Sequence, residues 1–193
     1  NDDQLQNLLN SLEKINSMSN KSVVDIIAHL TKNKDINIAN HAAGVLKSWI
    51  GYNEFLKMSK ENKYASIGFV CWFSHHYDVI DTITTIRAIG VEEFDLSYYF
   101  LVMQLMENKS KITKAEKKEV FLLMADLIEM QKSRVFLNLL TDLWDAMDMA
   151  YDFNKKCLVK KGEETLCGNI LEEMRIQAPE VASEIRKWVK NNK

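Results

Sequence analysis

Apolar residues recur along this chain at intervals of three and four positions, the spacing that places side chains on one side of an α-helix. The clearest case is Val23–Trp49, where a polar break at Lys32–Asp35 separates two apolar stretches. Asn20 or Ser22 can cap the first stretch and Asp35 the second, because their side-chain oxygens accept the free N–H groups of a helix start. The pattern therefore predicts two helices joined by a short turn.

The same spacing predicts helices on both sides of this pair. A first helix covers Asp2–Ser17, and the helix that reaches Trp49 is expected to continue through Leu56. A fourth helix covers Tyr64–Ile89 and stops at Gly90, since a glycine readily takes the left-handed conformation of a helix end. The apolar stripes of the first three helices are Leu5, Leu8, Leu9, Leu12 and Ile15; Val23, Val24, Ile26, Ile27 and Leu30; and Ile38, Ala42, Val45, Leu46 and Trp49.

The second half of the chain repeats this helical pattern. A fifth helix is predicted over Val91–Met106, and Thr113 with Glu116 has the spacing of a capping box that begins a sixth. A long seventh helix covers Ser133–Lys156, and Pro179 suits the first turn of the last helix. A short helix between them is indicated by an apolar stripe of Leu166, Ile170, Leu171 and Met174.

These segments predict an all-α fold, a helical bundle of eight or nine helices with short polar loops. One Pro and six Gly in 193 residues leave few of the turn signals that a chain of many short strands needs. The polar segment Met58–Lys63 is a candidate boundary between a three-helix unit at residues 1–58 and a larger bundle at residues 63–193. One continuous domain fits the same pattern.

Charge and composition narrow the partners. The 25 basic and 27 acidic side chains give a net charge of -2, which offers no broad attraction to nucleic acid or to an anionic membrane. No apolar run reaches the ~20 residues that span a bilayer. The expected partner is therefore another protein or a short peptide, and a cytoplasmic or nuclear location is favoured over a secreted one.

The three cysteines leave the redox compartment open. Cys71 lies in an apolar run and is expected to be a small core side chain. Cys157 and Cys167 flank a polar segment and could close a loop by a disulfide in an exported protein, whereas in a reducing compartment both would be free thiols. The chain does not begin with Met, so a processed N-terminus fits the sequence as well.

One histidine cluster, His75, His76, Asp78 and Asp81, contains candidate metal ligands. On one continuous helix His75 and Asp78 are three positions apart and share a face, as two ligands would. The alternative is a pair of histidines on a helix surface without a metal. Metal-binding signatures such as HExxH and CxxC are absent. No catalytic residue, metal or cofactor is therefore assigned, and a metal-dependent enzyme using this cluster is an alternative.

Four aspartates, Asp142, Asp145, Asp148 and Asp152, lie within about 120° on one side of the predicted seventh helix. Aspartate-rich helices hold metal–diphosphate groups in prenyl-transfer enzymes, but here no second such helix answers the first. The pattern is more typical of a solvated acidic face. Such a face could dock a basic partner.

The opening region also carries a family pattern. Its elements are Ile27, Leu30, the KNKD turn, Ile38, Ala42, Val45, Leu46 and Trp49. With the upstream leucine helix, residues ~5–52 resemble the N-terminal helical-bundle domain of the transcription elongation factor TFIIS, the LW domain. The Thr-x-Ile-Gly segment of that family is missing, and an armadillo-like helix pair gives almost the same pattern.

The resemblance implies a module that binds short disordered peptides of transcription factors without catalysis. Its partner would meet the polar positions Lys32, Asn33, Lys34 and Asn40. The sequence as a whole therefore predicts a non-enzymatic α-helical protein–protein interaction module, an adaptor associated with transcription where the resemblance applies. A secreted or host-directed helical effector is the other non-enzymatic alternative.

Overall fold

The computed structural model describes residues 2–90, 94–130 and 134–192. These ranges contain eleven α-helices and one two-stranded sheet, so the mostly helical character is confirmed and the predicted count of eight or nine helices is wrong. In chain order the elements are α1 (Asp2–Leu12), α2 (Lys21–Leu30), α3 (Ile36–Ile50), α4 (Tyr52–Lys60), α5 (Ile67–His75), α6 (Val79–Ile89), α7 (Phe94–Glu107), α8 (Lys114–Met130), α9 (Arg134–Met147), β1 (Met149–Asp152), β2 (Cys157–Lys160), α10 (Ile170–Ile176) and α11 (Ala178–Asn191). The 3₁₀ turn Lys109–Lys111 precedes α8.

The chain divides into two compact units, unit 1 (Asn1–Leu101) and unit 2 (Val102–Lys193). Unit 1 is built around α3, which packs against α1, α2, α4 and α5. A close approach occurs at Gly68 of α5, whose N–H donates to the carbonyl oxygen of Thr31 at 3.0 Å. A Cβ atom on Gly68 would lie 2.5 Å from the carbonyl oxygen of Ala39, so this contact requires a glycine.

The candidate boundary at Met58–Lys63 falls inside unit 1. Phe55 of α4 precedes it, and its ring packs at 4.6 Å from that of Phe69 and at 4.9 Å from that of Trp72 on α5. Aromatic residues on both sides of the polar segment therefore belong to one buried cluster. Met58 and Ser59 are buried in the last turn of α4, and only the residues after them form the exposed turn to α5, so the segment joins two helices that share a core.

Unit 2 is built on the packing of α8 against α11. The rings of Phe121 and Trp188 join these helices, with their centroids 4.6 Å apart. At the edge of this contact Arg186 donates to Asp126 at 3.0 Å and to Glu129 at 2.9 Å. Helix α11 therefore contacts α8 with both parts of its surface: its apolar face is buried, and Arg186 beside that face forms ion pairs with α8.

The predicted seventh helix, Ser133–Lys156, is wrong in its second half, and Ser133 lies outside the described residues. Helix α9 ends at Met147, and Asp148 takes a left-handed conformation with φ 55°. A hairpin follows, in which β1 pairs antiparallel with β2 and Asp152 lies opposite Cys157. The left-handed conformation of Asp148 ends the helix. The next four residues form β1 and pair with β2 instead of continuing α9.

Two other predicted helices are each split in two. Gly51, with φ 78°, ends α3, so the predicted continuation through Leu56 is a separate helix, α4. Tyr77, with φ 52°, separates α5 from α6 within the predicted Tyr64–Ile89 helix. Gly90 ends α6 with φ 81°, as predicted. The first three residues of the predicted Val91–Met106 helix lie outside the described ranges.

The helix starts that were predicted from a capping residue or a first-turn proline are confirmed. Asn20 accepts an N–H of the first turn of α2 at 3.1 Å, and Asp35 accepts one from α3 at 2.8 Å. Thr113 and Glu116 form the reciprocal capping box, with distances of 2.7 and 3.2 Å. Pro179 lies in the first turn of α11. Each of these contacts joins residues within three positions of each other, so the local sequence determines it.

Several residues of the predicted apolar stripes remain on the surface. Leu8, Ile15 and Ile26 are exposed in unit 1, although their neighbours Leu9 and Ile27 are buried. Short helices in a small unit bury a narrow stripe, so the flanking apolar positions stay in contact with solvent.

Within the described residues, none of the helices combines the length and apolar character that crossing a bilayer requires.

Candidate functional site

A fully buried carboxylate, Asp152, anchors the surface of interest in unit 2. It accepts hydrogen bonds from the backbone N–H groups of Asn154, Lys155 and Thr165 at 2.8–3.0 Å, and from the Thr165 hydroxyl at 2.9 Å. The Lys155 ammonium is 3.0 Å away. Burial by itself would raise the pKa of Asp152, but these donors outweigh burial and hold the pKa well below its ordinary value. Asp152 thus ties the hairpin to the segment before α10.

That segment forms one wall of an apolar groove. The groove lies between the end of α9, strand β1 and residues 161–170, and encloses a cavity of about 230 Å³. Its inner residues, Trp144 and Phe153, are almost completely buried. Its outer wall carries Leu166, which is 94% exposed, and Ile170, which is 45% exposed. We call the surface formed by Trp144, Met149, Phe153, Leu166 and Ile170 the apolar groove.

A polar edge borders the apolar groove. The carboxylate of Asp145 on α9 forms an ion pair with the Lys161 ammonium, and both residues line the groove. Glu164 also lines it, and its carboxylate accepts the backbone N–H of Gly162 at 2.5 Å. These contacts fix the 161–165 turn on one side, while Thr165 fixes it to Asp152 on the other.

The predicted acidic face does not form. Asp142 is exposed on α9 and Asp145 is paired with Lys161, but Asp148 lies in the left-handed turn and Asp152 is buried in β1. The Lys109 ammonium, 2.5 Å from Asp148, lowers the pKa of that carboxyl. The four aspartates therefore share no helical face, because the helix that would have aligned them ends at Met147.

The cysteines are free thiols in this structure. Cys157 begins β2, and Cys167 lines the apolar groove; of the two alternatives, a Cys157–Cys167 disulfide or two free thiols, the structure has the free thiols. Cys71 is buried in α5, as predicted, and burial raises its pKa to about 11. A buried thiol with a raised pKa is a packing residue and a poor nucleophile.

The predicted histidine cluster is rearranged by the break at Tyr77. His75 ends α5, whereas Asp78 precedes α6, so the two do not share one helix. His76 stacks on the ring of Trp72 at 3.8 Å, and its Nδ1 lies 2.8 Å from the Trp72 carbonyl oxygen. Within the described residues no group of three or more His, Cys, Asp or Glu side chains is arranged to hold a metal ion.

The carboxyl groups of this region converge instead on a tyrosine that sequence reasoning missed. The Tyr52 hydroxyl, in the first turn of α4, lies within hydrogen-bond distance of Asp78 and Asp81. Burial and hydrogen bonds to these carboxylates raise the pKa of Tyr52 well above its ordinary value. Burial and the neighbouring Asp78 raise the pKa of Asp81 to about 6. We call these three residues the tyrosine–carboxyl cluster.

The predicted partner-binding positions have mixed environments in unit 1. The Lys32 ammonium donates to the carbonyl oxygen of Lys63 at 2.7 Å, and the Asn33 side chain accepts the N–H of Asp35 at 2.8 Å. Both side chains therefore stabilise the turn before α3. Lys34 is exposed, and Asn40 is half-buried. None of the four lines the apolar groove, and their role in partner binding stays a prediction.

Comparison with known proteins found no matching family model, no matching curated protein and no matching solved structure. The resemblance of residues ~5–52 to the TFIIS domain stays a prediction. The candidate site therefore rests on the chemistry of the described side chains.

Proposed function

We propose that this chain is a non-enzymatic α-helical protein–protein interaction module that accepts an apolar side chain of a partner peptide in the apolar groove. The observation that supports it is the position of Leu166. This leucine is 94% exposed and stands beside a cavity whose inner residues are buried aromatics. Large apolar side chains exposed next to a concave apolar surface are typical of recognition sites.

The size of the groove indicates what it receives. A cavity of about 230 Å³ is smaller than the ~300–1,000 Å³ of most cofactor and drug-sized ligand sites. One bulky side chain suits such a volume, as an anchor residue does at the centre of a protein interface. The ion pair between Asp145 and Lys161 balances charge at the edge. The apolar anchor is therefore the main source of affinity.

The groove is also preformed. The two hydrogen bonds from Thr165 to the Asp152 carboxylate and the Glu164–Gly162 contact fix the turn that leads to Leu166. A wall that is already ordered loses little conformational entropy on binding, so more of the contact energy becomes affinity. The TFIIS-like pattern in unit 1 adds the narrower proposal that the partner peptide belongs to a transcription-associated protein.

Selection of short random peptides displayed on phage against the whole 193-residue chain tests the proposal. We expect enriched peptides to share one bulky apolar residue. A synthetic peptide from this set should bind Leu166→Ser roughly tenfold more weakly by calorimetry, because losing one leucine contact is worth about 1.4 kcal/mol. Leu166 is almost wholly exposed, so the substitution should leave the fold intact.

Ile176→Ser is the matched control. Ile176 is 61% exposed in the same unit and does not line the groove, so its substitution should leave the affinity unchanged. An equal loss of peptide affinity in both variants would indicate non-specific hydrophobic binding and contradict the proposal. So would selected peptides that lack an apolar anchor, or that bind Leu166→Ser as tightly as the unmodified chain.

A further inference from the structure

When Asp78 and Asp81 are both ionised, the tyrosine–carboxyl cluster has one proton for two hydrogen-bonding contacts. The Tyr52 oxygen lies within hydrogen-bond distance of Asp78 Oδ2 and Asp81 Oδ2. A phenol has a single proton to donate, and two ionised carboxylates only accept. One of the two contacts is therefore unsatisfied unless a carboxyl also carries a proton.

We propose that Tyr52, Asp78 and Asp81 form a proton-controlled latch between α4 and α6. With one proton shared by the two carboxyl groups, the protonated Asp81 donates within the cluster and Tyr52 donates to Asp78. When that proton leaves to solvent, two carboxylates face each other. Asp78 then turns away from Tyr52, and the start of α4 is released from α6.

When the latch is open, Asp78 can bind the N–H groups at the start of α6 instead of Tyr52. Asp78 occupies the N-cap position of α6, where an aspartate side chain normally accepts an N–H group of the first turn. Here its side chain makes no capping bond, because the carboxylate is turned to Tyr52. Release of Tyr52 leaves Asp78 free to cap α6. The two arrangements exchange one hydrogen bond for another, so a single proton can select between them.

The charges around the cluster favour a shared proton. Asp81 has a side chain only 13% exposed. The Lys60 ammonium of α4, at 4.0 Å, lowers the Asp81 pKa, but by less than burial and Asp78 raise it. Also on α4, Glu54 and Lys57 pair with each other at 3.5 Å. From α5, His75 and His76 are exposed, and His76 is bound to the Trp72 carbonyl oxygen. Arg87 lies in the last turn of α6, away from the cluster at its start.

The rest of α4 remains attached when the latch opens. Phe55, one turn after Tyr52, is completely buried among the aromatic rings of α5. The change is therefore confined to the first turn of α4 and the first turn of α6. Burial and the neighbouring Asp78 raise the pKa of Asp81 to about 6, which places the change between mildly acidic and neutral pH.

An NMR titration of the full chain from about pH 4.5 to about pH 8 tests the latch. The Tyr52 ring signals and the Ile80 and Asp81 amide signals should shift together, with one midpoint near 6. Asp81→Asn supplies a permanent donor, so its spectrum should resemble that of the unmodified chain at low pH and stay constant. Tyr52→Phe should remove the coupled shift of the Ile80 amide.

Glu54→Gln is the matched control, since Glu54 is also an acid in the first turn of α4 but lies outside the cluster. It should leave the transition unchanged. The latch is overturned if Asp81 titrates near its ordinary value of 3.8, if Asp81→Asn resembles the high-pH spectrum, or if Glu54→Gln removes the transition. These signals belong to unit 1, so the result is independent of peptide binding at the apolar groove.

Discussion

Each unit holds an aspartate shielded from solvent, completely for Asp152 and partly for Asp81, and the pKa values of the two side chains shift in opposite directions. Asp152 in unit 2 is surrounded by donors, with three backbone N–H groups, a hydroxyl and an ammonium around its carboxylate. Asp81 in unit 1 faces a second carboxyl and a phenol that has one proton to share. The pKa of Asp152 is lowered, and that of Asp81 is raised to about 6.

The difference shows that burial alone does not determine what an acid does. Desolvation raises the pKa of both side chains, and the supply of donors decides the outcome. A saturated carboxylate is a permanent structural anchor, here for the wall of the apolar groove. A carboxylate short of donors responds to pH. Unit 2 therefore offers a fixed surface for recognition, and unit 1 a contact that changes with protonation.

The largest expected effect comes from Asp152→Asn. The amide replaces one acceptor oxygen by a donor that faces the N–H groups of Thr165 or Lys155. We expect the thermal midpoint to fall by roughly 5–10 °C, measured by calorimetry. The groove peptide should also bind more weakly, because the Leu166 wall loses its anchor. Asp142→Asn, at an exposed aspartate on α9, is the control and should change neither quantity.

A smaller loss is expected from Thr165→Val, which keeps the shape and the backbone N–H but removes the hydroxyl donor to Asp152. One hydrogen bond to a charged group contributes about 1.5 kcal/mol, and the other donors remain. Chemical denaturation should show this loss at neutral pH. Below the ordinary Asp value of 3.8 the difference should shrink, because Asp152 loses its charge as pH falls through its lowered pKa. A constant difference at all pH values would contradict the anchor role.

The smallest effect, and one of opposite sign, is expected from Asp81→Asn. The folded chain binds the Asp81 proton more tightly than the unfolded chain does, so this group lowers stability as pH rises from about 3.8 to about 6. Asparagine removes that loss. The variant should be about 1 kcal/mol more stable at about pH 7.5, after allowance for solvent screening, and equal at about pH 4. Destabilisation at about pH 7.5 would mean that the ionised Asp81 is well compensated.

Local sequence was sufficient for the helix starts that a capping side chain marks. The caps at Asn20 and Asp35 and the Thr113–Glu116 box depend on side chains within three positions of the N–H groups they bind, so spacing alone identified them. Helix ends were harder to predict. Tyr77 and Asp148 take left-handed conformations without being glycine. Tyrosine rarely does so, and aspartate does so more often but is too common inside helices to mark their ends.

Both sites depend on contacts between distant residues. Tyr52 meets Asp78 and Asp81 across 26 and 29 positions, and Asp152 meets Thr165 across 13. Hydrophobic periodicity carries no information about such polar pairs. One signal for the hairpin was present, since the polar run Asn154–Lys156 interrupts the apolar stripe of the predicted seventh helix. It favoured a turn where a continuous helix was predicted.

The most direct test of the proposed function is a map of peptide contacts on the whole chain. A peptide that carries one bulky apolar residue would be added to labelled protein, and the amide and methyl signals followed by NMR. We expect the shifts to concentrate at Phe153, Leu166 and Ile170, with unit 1 unchanged and the same pattern at about pH 5 and about pH 7.5. Shifts centred on the Lys32–Asp35 turn or on Ile176, with Leu166 unaffected, would contradict the assignment of the apolar groove as the recognition site.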